Sequence, residues 1–139
     1  MAKKKYLYAY KDLIEDLKDM ANEVLKKGGV VERELWETLF EDVEIRNWEE
    51  WKEYFHEEVP SLLKDVLREA GLYCSIYHRK DDVPLPEYIA NCETEDGREI
   101  SFSFDVEYDD VVGKITLLLA EASRGKTPDS ILVYYHKVA

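Results

Sequence analysis

Asp105, Glu107, Asp109 and Asp110 set four carboxylates within six residues, and oxygen donors at that density can hold Mg²⁺ or Ca²⁺ for hydrolytic chemistry. The same residues also suit a half-wet strand that runs into a helix, with Asp109 or Asp110 as the cap. Neighbouring carboxylates are far commoner than catalytic ones, so a small divalent-metal enzyme is the lesser reading. Cys74, Cys92 and His78 supply softer donors. Zinc would need a fourth ligand that no spacing provides, which leaves buried free thiols in a reducing compartment or a disulfide in a hyperthermophile. His56 and His136 belong to no metal or nucleophile motif. Neither a phosphate-binding glycine loop nor a nucleophile elbow nor a zinc-protease motif occurs, and no cofactor is expected.

A different chemistry stands out between Glu32 and Glu58. Eleven of these 27 residues are acidic and three are basic, a net of −8 out of −12 for the whole chain, and all three tryptophans, Trp36, Trp48 and Trp51, lie here. Aromatics give contact area and carboxylates give electrostatic steering, a combination suited to a basic or partly apolar partner. Glu37, Glu41, Asp42, Glu44, Glu49, Glu50, Glu53 and Glu57 are the candidate partner-binding residues, an array that can compete with nucleic-acid phosphates for a basic groove. The plainer alternative makes the aromatics the inner faces of two helices and the glutamates their solvated backs.

Periodicity supplies the elements that must position these groups. Leu7, Tyr10, Leu13, Ile14, Leu17, Met20, Ala21, Val24 and Leu25 form one helical stripe, stopped at Gly28 and Gly29. Val31, Leu35, Trp36, Leu39 and Phe40 fit a second helix. Asn47 with Glu50 predicts the start of a third through Trp48, Trp51, Tyr54 and Phe55, Pro60 interrupts it, and Ser61 opens a fourth that ends at Gly71. From Tyr73 the period becomes 2. Ile100, Phe102, Phe104 and Val106 alternate with polar residues, and the loop before them places Gly97 at a left-handed position. This register sets Cys74 opposite Cys92, Cys92 opposite Ile100, and Ala90 between Ile76 and Phe102. Val111, Val112, Ile115, Leu118, Leu119 and Ala122 suggest a covering helix ending near Gly125, followed by a strand over residues 130–138.

The expected fold is thus a single α+β domain over residues 1–139: a helical N-terminal half of about four helices, a three-stranded antiparallel meander, a covering helix and a C-terminal strand. The run from Ser61 to Arg124 has the element order of the double-stranded-RNA-binding domain, but its second helix would open on Asp109 and Asp110 and repel RNA. No apolar run reaches the ~18 to 20 residues of a membrane span, and the lysine-rich start lacks an apolar signal core, so a cytoplasmic protein is expected. Glutamine is absent and asparagine occurs three times, a bias shared by hyperthermophile proteins and by some viral ones. The expected function is a non-enzymatic acidic binding or inhibitory protein, such as a viral anti-defence inhibitor, that occupies a basic site on a protein partner. That partner would belong to a nucleic-acid-processing complex, with no direct nucleic-acid or membrane binding. A homo-oligomer built through Tyr6, Tyr8, Tyr73, Tyr77, Tyr134 and Tyr135 is a further alternative.

Overall fold

The computed structural model describes residues 10–40, 47–109, 111 and 114–139, with backbone alone at Phe40, Trp48, Trp51 and Lys52. In chain order the elements are α1 (Lys11–Lys27), β1 (Val30–Phe40), α2 (Trp48–Glu69), β2 (Leu72–Arg79), β3 (Tyr88–Thr94), β4 (Glu99–Asp109), β5 (Lys114–Arg124), the single-turn α3 (Asp129–Leu132) and β6 (Tyr135–Lys137). All six strands form one antiparallel sheet in the order β1-β5-β4-β3-β2-β6. The α+β class is right, but the expected four-helix N-terminal half, three-stranded meander and covering helix are not.

Helix α1 follows its stripe. Leu13, Ile14, Leu17, Met20, Ala21 and Val24 are buried, and Gly28 and Gly29 end the helix at φ of 74° and 75°, a region glycine enters without the Cβ penalty. The expected contribution of Leu7 lies outside the described residues. The second expected helix is instead strand β1. Residues four apart share a face in both helices and strands, so Val31, Leu35 and Leu39 could not separate the two. Trp36 does: a helix would place it beside Leu35 and Leu39 in the core, whereas it is 71% exposed.

The third and fourth expected helices are one. Asn47 caps α2 through its side-chain oxygen, which accepts from the Glu50 amide at 2.9 Å. The helix then passes through Pro60, whose ring normally costs ~3 kcal/mol in a helix interior. Phe55, Val59, Leu62, Leu63, Val66 and Leu67 continue a single buried stripe across the proline. Burying that stripe on the sheet, at roughly 1.5–3 kcal/mol per large side chain, outweighs the lost backbone bond.

The hairpins of β2, β3 and β4 pair as the alternation requires: Cys74 with Cys92, Cys92 with Ile100, Ile76 with Ala90, and Ala90 with Phe102. The Gly97 loop closes by Thr94 N to Arg98 O at 2.8 Å with Gly97 at φ 84°. Residues expected to form a covering helix pair instead along β4 as strand β5. Asp105 and Val106 face Leu119 and Leu117, which leaves Leu118 as the extra residue of a bulge. That extra residue puts Leu117 and Ala120 on one buried face three positions apart, a helical spacing produced by an interrupted strand. The likeness to the RNA-binding domain ends here, because its second helix is missing.

One face of the sheet buries Leu72, Cys74, Ile76, Tyr88, Ala90, Cys92, Ile100, Phe102, Phe104, Ile115, Leu117, Ala120 and Ala122, with Val106 packed at its margin. Helix α1 lies over the β1, β5 and β4 side and α2 over β2. The chain leaving β5 must pass β4, β3 and β2 to reach the far edge, and it does so on the opposite face. Thr127 N bonds Asn91 Oδ1 at 2.9 Å, and Tyr135 OH donates to Pro86 O at 2.7 Å. Residues expected to be one long last strand therefore divide into a crossover, α3 and the short β6. Phe102 lies at the middle of the core, so Phe102→Ala should lower the unfolding free energy by about 3–5 kcal/mol in urea titration with an unchanged m-value.

Candidate functional site

The expected acidic site is described only in part. Glu41, Asp42 and Glu44 lie outside the described residues. Glu49, Glu50, Glu53 and Glu57 are all exposed on the first half of α2. Glu49, Glu53 and Glu57 follow one another at four-residue spacing, which stacks their carboxylates along one side of the helix. Among the described residues none of these four enters an ion pair. Glu37 is elsewhere, half-buried on β1 beside α1. Burial raises its carboxyl above the ordinary range, and the charges of Asp12 and Asp16 add to the rise. The side chains of Trp48 and Trp51 fall outside the described set, so Trp36 alone of the three tryptophans is placed, at the surface.

The alternative carboxylate cluster is spread along β4, where residues two apart stand about 6–7 Å from each other. Asp109 Oδ1 accepts from Val111 N at 3.1 Å and so shapes the turn into β5, not a helix start. Asp110 is outside the described residues. Among the described residues no group of three or more acidic, histidine or cysteine side chains is arranged to hold a metal ion. Of the tyrosines offered for self-association, Tyr77 is half-buried on β2. Tyr73 and Tyr134 are exposed, Tyr135 is buried, and Tyr6 and Tyr8 lie outside the described residues.

Cys74 and Cys92 are joined by a disulfide across β2 and β3, with Cα atoms 4.0 Å apart. The sequence left their redox state open; their register made the bond geometrically possible. Closing a chain segment of this length stabilises by about 3 kcal/mol in the chain-entropy account. Reduction, or Cys74→Ser with Cys92→Ser, should therefore lower stability by roughly that amount, read as a drop in the urea midpoint.

A polar network at the end of the β2–β3 hairpin was not anticipated. Glu87 Oε1 accepts from His78 Nε2 at 3.0 Å and from Tyr108 OH at 3.0 Å, while Oε2 meets Arg79 Nη2 at 2.8 Å. Because the Tyr108 proton points at Glu87, the 3.2 Å contact between Tyr88 OH and Tyr108 OH has Tyr88 as donor. Arg79 also donates to Leu85 O at 2.7 Å and Asp81 O at 3.2 Å, which pins the connecting loop. The His78 ring stands 4.5 Å from His56 and 4.9 Å from Tyr88, measured between centroids. Burial alone would raise the Glu87 carboxyl, but hydrogen bonds and charge from His78, the Arg79 guanidinium and the Tyr108 hydroxyl hold it below its ordinary value. Burial pushes the Tyr88 and Tyr108 phenols well up, and that of Tyr135, on the opposite face, to about 12. Alternation places His78 on the dry face at the strand end, the only sequence signal that a buried charge would have to meet it.

This cluster reads as a satisfied internal ion pair that fastens a loop, since every carboxylate oxygen and the guanidinium already have partners. No family model, curated protein or solved structure matches this chain.

The depressed Glu87 acidity fixes a pH dependence. The ionised form favours the folded chain, so its contribution is complete above the unfolded value near 4.5 and is lost as pH falls through the lower folded value. Glu87→Gln should flatten the acid limb of the stability curve below that range. Glu87→Ala, which leaves Arg79 without its anion and His78 and Tyr108 without their hydrogen-bond partner, should cost about 3–5 kcal/mol at neutral pH. Urea midpoints measured between acid and neutral pH check both.

Proposed function

We propose that the protein is a non-enzymatic acidic binding or inhibitory protein that occupies a basic, nucleic-acid-handling site on a protein partner, as a viral anti-defence inhibitor would. The observation that carries this reading is the group of exposed carboxylates Glu49, Glu50, Glu53 and Glu57 on α2, which enter no ion pair among the described residues. Such a group creates a potential that a groove evolved for phosphates would attract, raising the association rate at low salt. Asn47 and the helix it caps hold the carboxylates at fixed spacing, so less ordering cost falls on binding. The outer side of α1 adds Asp12, Glu15 and Asp19, although Lys11, Lys18, Lys26 and Lys27 dilute it.

A cytoplasmic setting in a hot-growing host belongs to the same proposal. No helix among the described residues is long and apolar enough to cross a membrane. A disulfide inside a cell is at home chiefly in hyperthermophiles, and the glutamine-free, lysine- and glutamate-rich composition leans the same way.

Capture from host lysate at low salt, followed by a salt gradient, tests the central claim. A basic nucleic-acid-handling protein should be retained, released by salt or by added nucleic acid, and lost from a Glu49→Lys, Glu50→Lys, Glu53→Lys variant. Retention of the same protein by that variant removes the acidic row from the function.

A further inference from the structure

Strand β1 ends the sheet, paired on one side with β5. Its opposite edge is not paired with any strand of the described chain. An edge of eleven residues offers a series of backbone donors and acceptors that another strand can take up. Proteins usually blunt such edges with lysine, proline or very short strands. Strand β1 has no lysine or proline, and the opposite end of the sheet, β6, is only three residues long.

The side chains on β1 narrow the choice of partner. Glu32 and Glu34 are exposed, and Trp36 presents a large indole with 71% of its surface open. Arg33, the one basic residue of the strand, is turned to α1, where Nη1 meets Asp16 Oδ1 at 3.2 Å. Glu37 stands on the α1 side of the strand, where burial first and then the charges of Asp12 and Asp16 raise its carboxyl. A cationic segment beside this edge would meet the exposed charges of Glu32 and Glu34, whereas a second copy of β1 would add like charges to them. Two irregularities of register, between Glu34 and Glu37 and between Thr38 and Phe40, leave residues 30–34 as the stretch of regular pairing on this strand.

We propose that the outer edge of β1 binds an extended, lysine- or arginine-rich segment of a partner protein as an added strand, with Trp36 as the apolar anchor and Glu32 and Glu34 meeting its basic side chains. This rests on the reading of the protein as an acidic binder and gives that reading a second surface and a partner in β conformation. Backbone pairing supplies affinity that depends little on sequence, and alternate side chains supply the choice of basic over acidic segments.

The test uses the full chain and a short synthetic peptide alternating lysine and valine, followed by amide hydrogen exchange. The peptide should protect β1 amides. The same peptide methylated on alternate backbone nitrogens keeps its charge but cannot pair, and should bind at least about tenfold more weakly, the equivalent of ~1.4 kcal/mol. Trp36→Ala should also weaken binding about tenfold, as loss of an aromatic anchor does. The Glu49→Lys, Glu50→Lys, Glu53→Lys variant should bind it unchanged.

Equal binding of the methylated peptide, or loss of binding only in the α2 variant, overturns the edge proposal while leaving the acidic row on α2 intact. Equal binding of an acidic analogue overturns the charge argument at β1. Concentration-dependent protection of β1 in the protein alone, with a doubled native mass, would give the edge to a second copy and overturn the proposal.

Discussion

Everything in this molecule depends on hiding one face of a wide antiparallel sheet with two helices. A sheet with a dry face cannot stand in water, and six strands present more width than one helix covers. Helix α1 shields the β1, β5 and β4 side and α2 the β2 side, and the two helices touch each other. The continuity of α2 through Pro60 follows from this demand. A break there would interrupt the stripe from Phe55 to Leu67 that seals the sheet. Because the helices occupy that face, the chain leaving β5 has the other face as its route, and it buries Ile89 and Ser101 on its way.

How much of this was legible in the sequence depended on whether a segment kept an uninterrupted period. Helix α1 did, and so did β2, β3 and β4, whose register followed from alternation and one glycine turn. The errors arose where two periods coincide. Val31, Leu35 and Leu39 satisfy helix and strand alike, and the bulge at Leu118 gave β5 a helical spacing. A bulge is chosen by pairing with neighbouring strands, which a local pattern does not contain. Pro60 misled in the opposite sense, since a local penalty was overridden by burial on both sides of it.

The chemistry divided in the same way. The opposition of Cys74 and Cys92 followed from strand register, and their bond needed only that proximity. Glu87 gave no signal, because it precedes β3 in a loop and reaches its partners His78 and Tyr108 only after three strands have assembled. Of the acidic residues singled out, those on α2 stand together because one helix carries them. Glu37 parts from them because its segment is a strand on the far side of the sheet.

The disulfide also alters what the chain is when it is not folded. Strands β2 and β3 are joined at directly opposed residues with an 18-residue separation, so an oxidised chain that loses all other structure still holds these two segments together by a covalent bond. The sheet grows outward from these two strands, toward β6 on one side and toward β4, β5 and β1 on the other. For such a chain, the register of one strand pair is restricted before any sheet has formed. The entropic cost of long-range closure that slows sheet proteins is thereby reduced at the strand pair from which both halves extend.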